Sequence, residues 1–234
     1  SRGLASCGLA CKIVIDYSLF LYFMDQRARQ LPAEERRALT VSTVLELAAE
    51  RDPQEITTAA IAERMQLTQG ALFRHFPSKE HIWSAAVEWL GGELLNRTQK
   101  AAAGAPTSIE AMEAMFLAHI KLVSQFPGIP RLLFGELQRA DDTLAKLAAR
   151  SIIKRYRERL LTLIKQGKHS GEIDVLVDAP AAATMYVGMV QGLVAQALIA
   201  GNVKGLRGEA PGAFELFRRG IVCSTGANRT GAKA

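Results

Sequence analysis

The chain has 234 residues, 49% apolar and 22% charged, with a net charge of +6. That length can bury one large core or two modest ones, and the composition is ordinary for a soluble globular protein. The charge alone is no ground for nucleic-acid binding: residues 24–90 carry eight Lys and Arg against ten Asp and Glu, and the basic excess falls after residue 90. A nucleic-acid argument must therefore rest on the geometry of a motif.

Abundant Ala, Leu, Glu, Arg and Gln, with few strand-like runs, predict a mostly helical fold. The three cysteines, Cys7, Cys11 and Cys223, lie near the chain ends, and none has a partner at zinc-finger spacing. An odd count without a framework suits a reducing, cytoplasmic setting. The apolar run from Ile13 to Met24 is interrupted by Asp16. It is too short for a membrane span, which needs about 20 apolar residues. No small-residue cleavage site follows it, so translation is expected to begin at Met24, with residues 1–23 upstream of the native start.

From Leu39 the apolar positions Val41, Val44, Leu45, Leu47 and Ala48 run near helical spacing. Glu34 and Glu35 suit the positive end of that helix, and Asp52-Pro53 stops it. Thr57 is a natural N-cap for a second helix that turns Ile61 and Met65 inward. Gln66-Leu67-Thr68 makes a short turn, Thr68 caps a third helix over 69–76, and Pro77-Ser78 breaks it. Ser78 caps a fourth helix. Residues 34–77 thus read as three short helices on the helix-turn-helix plan, with a generic small helical bundle as the alternative. Longer helices are predicted over 78–100, 108–126, 131–138, 142–167, 179–200 and 211–222.

The stretch I61-A-E-R-M-Q-L-T-Q-G-A-L-F-R-H-F-P-S-K-E80, on this helix plan, resembles the DNA-binding domain of the TetR family of bacterial transcription regulators. The match covers about 34–90; beyond it the likeness is architectural. The resemblance implies an all-α chain. A DNA-binding helix-turn-helix domain at 31–80 would follow an N-terminal extension at 1–30. A larger helical domain at 81–225 would bind effector and dimerise, ahead of a tail at 226–234. It implies a homodimer whose third helices enter successive major grooves of a double-stranded operator. Gln69, Ala71 and Arg74 would then face base edges, and Thr57, Thr58, His75 and Lys79 phosphates, with Thr68 and Gly70 in the same contact set. The chemistry fits: Arg can bond guanine in a bidentate way and Gln adenine, glycine lets a backbone approach, and helix N-termini favour phosphate. One position departs. The family usually has Tyr where this chain has Phe73, so a phosphate contact is lost and Phe73 is expected to pack. Arg27 and Arg29 are either a basic arm or solvated charges.

In the second region, Met115, Phe116, His119, Tyr156, Met185, Tyr186 and Met189 are candidates for an adaptable apolar pocket, with core filling as the plain alternative. Gly188, Gly192, Ala195 and Ile199 form a mostly small stripe on helix 179–200. Related proteins dimerise through their last two helices, so the two-fold axis is expected there, with 211–222 as partner. Gly91-Gly92 is expected to interrupt the fourth helix, either as a soft link between domains or as a close packing point. The basic residues from Arg150 to Lys168 read as a solvated helix face.

The expected function is a repressor released from a palindromic operator by a small, largely apolar effector. The alternative is a DNA-binding accessory or architectural protein without one. No cofactor, metal or membrane is called for, and nothing in the sequence has the pattern of a catalytic site.

Overall fold

The computed structural model describes residues 32–223. The run from Ile13 to Met24, Cys7, Cys11, Arg27, Arg29 and the tail at 226–234 lie outside the described residues. Within them are nine α-helices and two short 3-10 turns, at Pro53–Glu55 and Val203–Gly205. The helices are α1 (Ala33–Glu50), α2 (Thr58–Arg64), α3 (Gln69–Phe73), α4 (Lys79–Ala103), α5 (Ser108–Gln125), α6 (Gly128–Leu137), α7 (Leu144–His169), α8 (Ala179–Ile199) and α9 (Leu206–Ile221).

Side-chain caps set most of the helix starts. Thr57, Thr68, Ser78, Thr107, Thr143 and Asp178 each accept a hydrogen bond from a backbone N–H in the first turn that follows. Those amides have no partner inside their own helix, so a side-chain oxygen there stabilises the start by about 1 kcal/mol.

Several boundaries differ from expectation. Helix α3 ends at Phe73, three residues early, where the chain tightens into a turn with His75 N bonded to Leu72 O. Helix α6 starts at Gly128, not 131. Pro130 falls in its first turn, where the missing N–H has no bond to lose. Helix α9 starts at Leu206, not 211, and contains Pro211. Asn202 Oδ1 accepts from Gly205 N and leads the 3-10 turn directly into it. Helix α4 runs unbroken through Gly91 and Gly92.

Two apolar cores form. One joins α1, α2, α3 and the start of α4 with Ile129 and Leu132 of α6 and Ala145 and Ala149 of α7. The other is built from α4, α5, α7, α8 and α9. Leu90, Phe126 and Ile152 pack against both. The contact between α1 and α6 is unusually close. A Cβ on Gly128 would lie 2.1 Å from Leu45 O and 2.8 Å from Ala49 N. Arg131 Nη1 also donates to Ala49 O at 2.9 Å, satisfying a carbonyl at the end of α1. On α4, Gly91 is a packing point, since its Cβ would meet Ile152 Cδ1 at 2.2 Å, whereas Gly92 faces open space.

Candidate nucleic-acid interface

Ile61 and Ala62 of α2, Leu72 of α3, and Met65 and Phe76 just beyond the ends of these helices fill the smaller core. The turn between the two helices depends on Gln66, the one non-glycine with positive φ (55°) among the described residues. Its N–H bonds Glu63 O, and Leu67 N bonds Ala62 O at 2.8 Å. These contacts fix the angle between the helices and leave one side of α3 in solvent.

That side carries Gln69, Gly70, Phe73 and Arg74, all exposed. Ala71 is half-buried, off the centre of the face. A Cβ on Gly70 would meet only Thr68 Oγ1, at 4.0 Å, so no neighbour inside the protein requires glycine there. Phe73 does not pack as expected. Its ring is 43% exposed, while the neighbouring Leu72 is 1% exposed. Residues four apart share a helix face, so Phe73 goes with Gln69 and Leu72 with Phe76. The missing hydroxyl gave the expectation of packing, whereas helical position sets the exposure.

Thr57 is exposed and Thr58 half-buried at the start of α2, and Thr57 Oγ1 accepts from Ala60 N at 3.1 Å. Thr68 Oγ1 accepts from Ala71 N at 3.2 Å. His75 and Lys79 are held by other parts of the protein. Arg36 Nη1 donates to His75 Nε2 at 3.0 Å, and Arg37 Nη1 donates to His75 O at 3.0 Å. Arg37 also lies 4.7 Å over the Phe76 ring. Arginine only donates, so Nε2 must accept and the imidazole is neutral with its proton on Nδ1. Desolvation, then the charges of Arg36, Arg37 and Arg74, hold His75 below the usual histidine range, in agreement with a neutral ring. Lys79 Nζ donates to Gln54 O at 3.3 Å and lies 5.0 Å over the Trp83 ring. Burial pushes its ammonium below the usual lysine range. The clamp from α1 onto His75 spans 39 residues of sequence, and no local pattern announces it.

The pocket candidates divide. Met115, Phe116, Tyr156 and Tyr186 come together, each no more than 3% exposed. Phe116 and Tyr186 meet edge to face at 5.5 Å, His119 and Tyr156 likewise at 5.5 Å, and Tyr186 also contacts Phe217 at 5.7 Å. Met189 packs partly buried against this cluster. Met185 does not belong to it. It is 61% exposed, because it is one residue, or about 100° of helix, from the buried Tyr186 and is turned off the buried face of α8. Tyr186 Oη donates to Met112 O at 2.7 Å. His119 Nδ1 is buried without a hydrogen-bond partner, and the buried Tyr156 Oη has the Tyr186 hydroxyl as its polar neighbour. Burial pushes both tyrosines up and holds His119 down at about 4. The His119 side chain keeps some accessible surface, but Nδ1 itself has none. Two surface depressions lie elsewhere. One of about 410 Å³ on α7 includes Arg150, Ile153 and Leu161, and one of about 320 Å³ between α5 and α9 includes Leu117, Lys121 and Arg207.

Gly188 and Ile199 are exposed on the outer face of α8, with Gly192 and Ala195 half-exposed beside them. A Cβ on either glycine would meet nothing within 4 Å. By length and composition α8 is apolar enough to cross a membrane, but its other face is packed into the larger core through Ala183, Tyr186 and Val190.

A family model described as "Bacterial regulatory proteins, tetR family" matches residues 41–86, from within α1 to the start of α4. Among curated proteins, the nucleoid occlusion factor SlmA of Marinobacter nauticus is 31% identical over 141 residues, 59% of this chain and 69% of that protein. The SlmA of Alteromonas mediterranea is 30% identical over 131 residues; the chain spans just under two thirds of it, 65%, and 56% of this chain is matched. Among solved structures, the regulator FadR of Bacillus subtilis in complex with stearoyl-CoA superposes with a TM-score of 0.71 at 20% identity, over 79% of this chain and 98% of that one. FadR of Bacillus halodurans gives 0.73 at 17% identity, over 82% and 97%. With a helix-turn-helix whose exposed helix carries Gln69 and Arg74, the chain belongs to the tetR family of bacterial regulatory proteins and is a DNA-binding regulator of transcription.

Proposed function

We propose that the chain represses transcription as a homodimer on a palindromic operator and leaves it when a small molecule binds the larger helical domain. The observation that carries the reading is the face of α3, where Gln69 and Arg74 stand in solvent on a helix held rigidly from behind. Gln69, Ala71 and Arg74 would meet base edges, with Gly70 allowing close approach. Thr57, Thr58, Thr68, Lys79 and the Nδ1–H of His75 would meet phosphates. Residues 31–80 would be the reading unit and 81–225 the sensing and dimerising one. The two-fold axis would pass along the outer faces of α8 and α9, through Gly188, Gly192, Ala195 and Ile199, where small side chains leave room for a partner helix. Met185 and Leu216, 61% and 71% exposed, add apolar surface on these helices. Half-sites would then lie about 34–36 Å apart, or a multiple of that.

The unpartnered His119 Nδ1 supports an effector with a hydrogen-bonding group on a largely apolar body. Binding would favour the conformer whose two α3 helices are misplaced for DNA. The bound stearoyl-CoA of the FadR neighbour is an apolar-tailed ligand of that general kind. We place this activity in the cytoplasm and assign the chain no enzymatic role.

One observation favours a second reading, a DNA-binding protein without an effector. The residues expected to line a pocket are packed ring against ring, with Met115, Phe116 and Tyr186 at 0% exposure. The curated relatives named nucleoid occlusion factors are compatible with it. Selection of bound duplexes from a random pool, followed by a screen for compounds that release them, tests both. A palindrome with a releasing compound supports the first reading, and a palindrome that no compound releases supports the second. Absence of any selected sequence overturns both.

A further inference from the structure

Phe73 is the large apolar side chain that α3 leaves in water, 43% exposed against 1% for Leu72 and Phe76. It lies on the exposed face one helical turn after Gln69 and directly before Arg74. Gly70, on the same face, brings no side chain to shield it. A single exposed aromatic needs no explanation on an ordinary surface. Here it lies between two side chains able to bond base edges, and a phenyl ring can neither donate nor accept such a bond. Among the groups that base pairs present in the major groove, the apolar one is the C5 methyl of thymine.

We infer that Phe73 selects thymine at one position of each half-site by covering its methyl group. This rests on the reading that α3 enters the major groove. Gln69 and Phe73 are four residues apart, about 6 Å along the helix. Bases on one strand are spaced by about 3.4 Å. The thymine therefore lies within about two base pairs of the base that Gln69 meets. Removing one buried methyl lowers affinity by about fourfold.

The test uses the operator obtained by selection. Each thymine in turn is replaced, symmetrically in both half-sites, by deoxyuridine, which keeps the pairing and removes the methyl. Binding is measured for the wild-type chain and for Phe73→Ala, which touches an exposed position and should fold. The expected result is one deoxyuridine position that weakens wild-type binding about 15-fold, about fourfold for each of the two methyls removed, and leaves Phe73→Ala unaffected. Equal losses for both proteins at every position, or no loss at any, overturn the inference while leaving α3 as the reading helix. If no operator can be selected, the DNA reading itself fails and the inference falls with it.

Discussion

Arg36 at the start of α1 donates from Nη1 to Nε2 of His75, 3.0 Å away, just beyond the end of α3. The contact couples the first helix to the exposed helix, and it works only while the imidazole is neutral. His75 is held below the unfolded value near 6.5, so the folded state prefers the neutral form. The stability it contributes is complete above about pH 6.5 and is lost as pH falls through the lower folded value. His75→Gln should therefore lose less Tm than wild type between pH 7.5 and 5.5. Thermal unfolding of both proteins across that range checks it.

His119 gives a larger effect of the same sign. Burial holds it at about 4 against about 6.5 unfolded, a difference worth at most about 3 kcal/mol at neutral pH. That contribution fades as pH falls from 6.5 through 4. His119→Leu removes the group that must charge, so its urea-unfolding free energy should vary less with pH over this window. A wild-type curve as flat as that of the variant would contradict the burial.

Three glycines should respond differently to alanine. Gly128→Ala drives a Cβ into backbone atoms of α1 that cannot yield, and should destabilise by at least about 1–3 kcal/mol. Gly91→Ala meets the tip of Ile152, which can rotate, and should cost less. Gly92→Ala enters open space within a helix and should stabilise by up to about 1 kcal/mol. Urea denaturation ranks them. If Gly92→Ala leaves effector-driven DNA release intact, α4 does not bend there.

Arg74 and Lys79 should differ on DNA. Arg74→Ala should weaken operator binding by about 1–3 kcal/mol and relax preference at one base pair. Lys79→Ala should weaken all sequences alike and lower the salt slope by about one. Titrations of operator and unrelated duplexes at several salt concentrations separate the two behaviours.

Gly188→Leu places a bulky side chain on the outer face of α8, where the monomer has room for it. The folded chain should tolerate it, and the dimer should not. Sedimentation that still finds a dimer would move the two-fold axis elsewhere.

Much of the fold was legible locally. Thr57, Thr68 and Ser78 announced three helix starts because a cap is a local chemical requirement. Misreadings arose where one local rule had two outcomes. Proline ends a helix interior but is harmless in a first turn, which is why α6 begins before Pro130. Pro211 shows that packing can keep a proline inside a helix, here between the buried Ala210 and Phe214. Met185 was grouped with Tyr186 by residue type, and the 100° step between them turns Met185 off the buried face. The tie between Arg36 and His75 and the seating of Gly128 on Leu45 depend on distant segments, so no window of sequence contains them.

The seating of α6 on α1 bears on how such a regulator can be re-engineered. The apolar interior beneath α2 and α3 is completed by Ile129, Leu132, Ala145 and Ala149, and Glu80 Oε1 accepts from Leu144 N at the start of α7. A chimera cut after residue 80 would part these pieces and bare the α1 surface that Gly128 covers. A swap of operator preference between relatives should therefore carry the start of α4, α6 and the first turns of α7 along with the helix-turn-helix, or be confined to the solvent-facing side chains of α3.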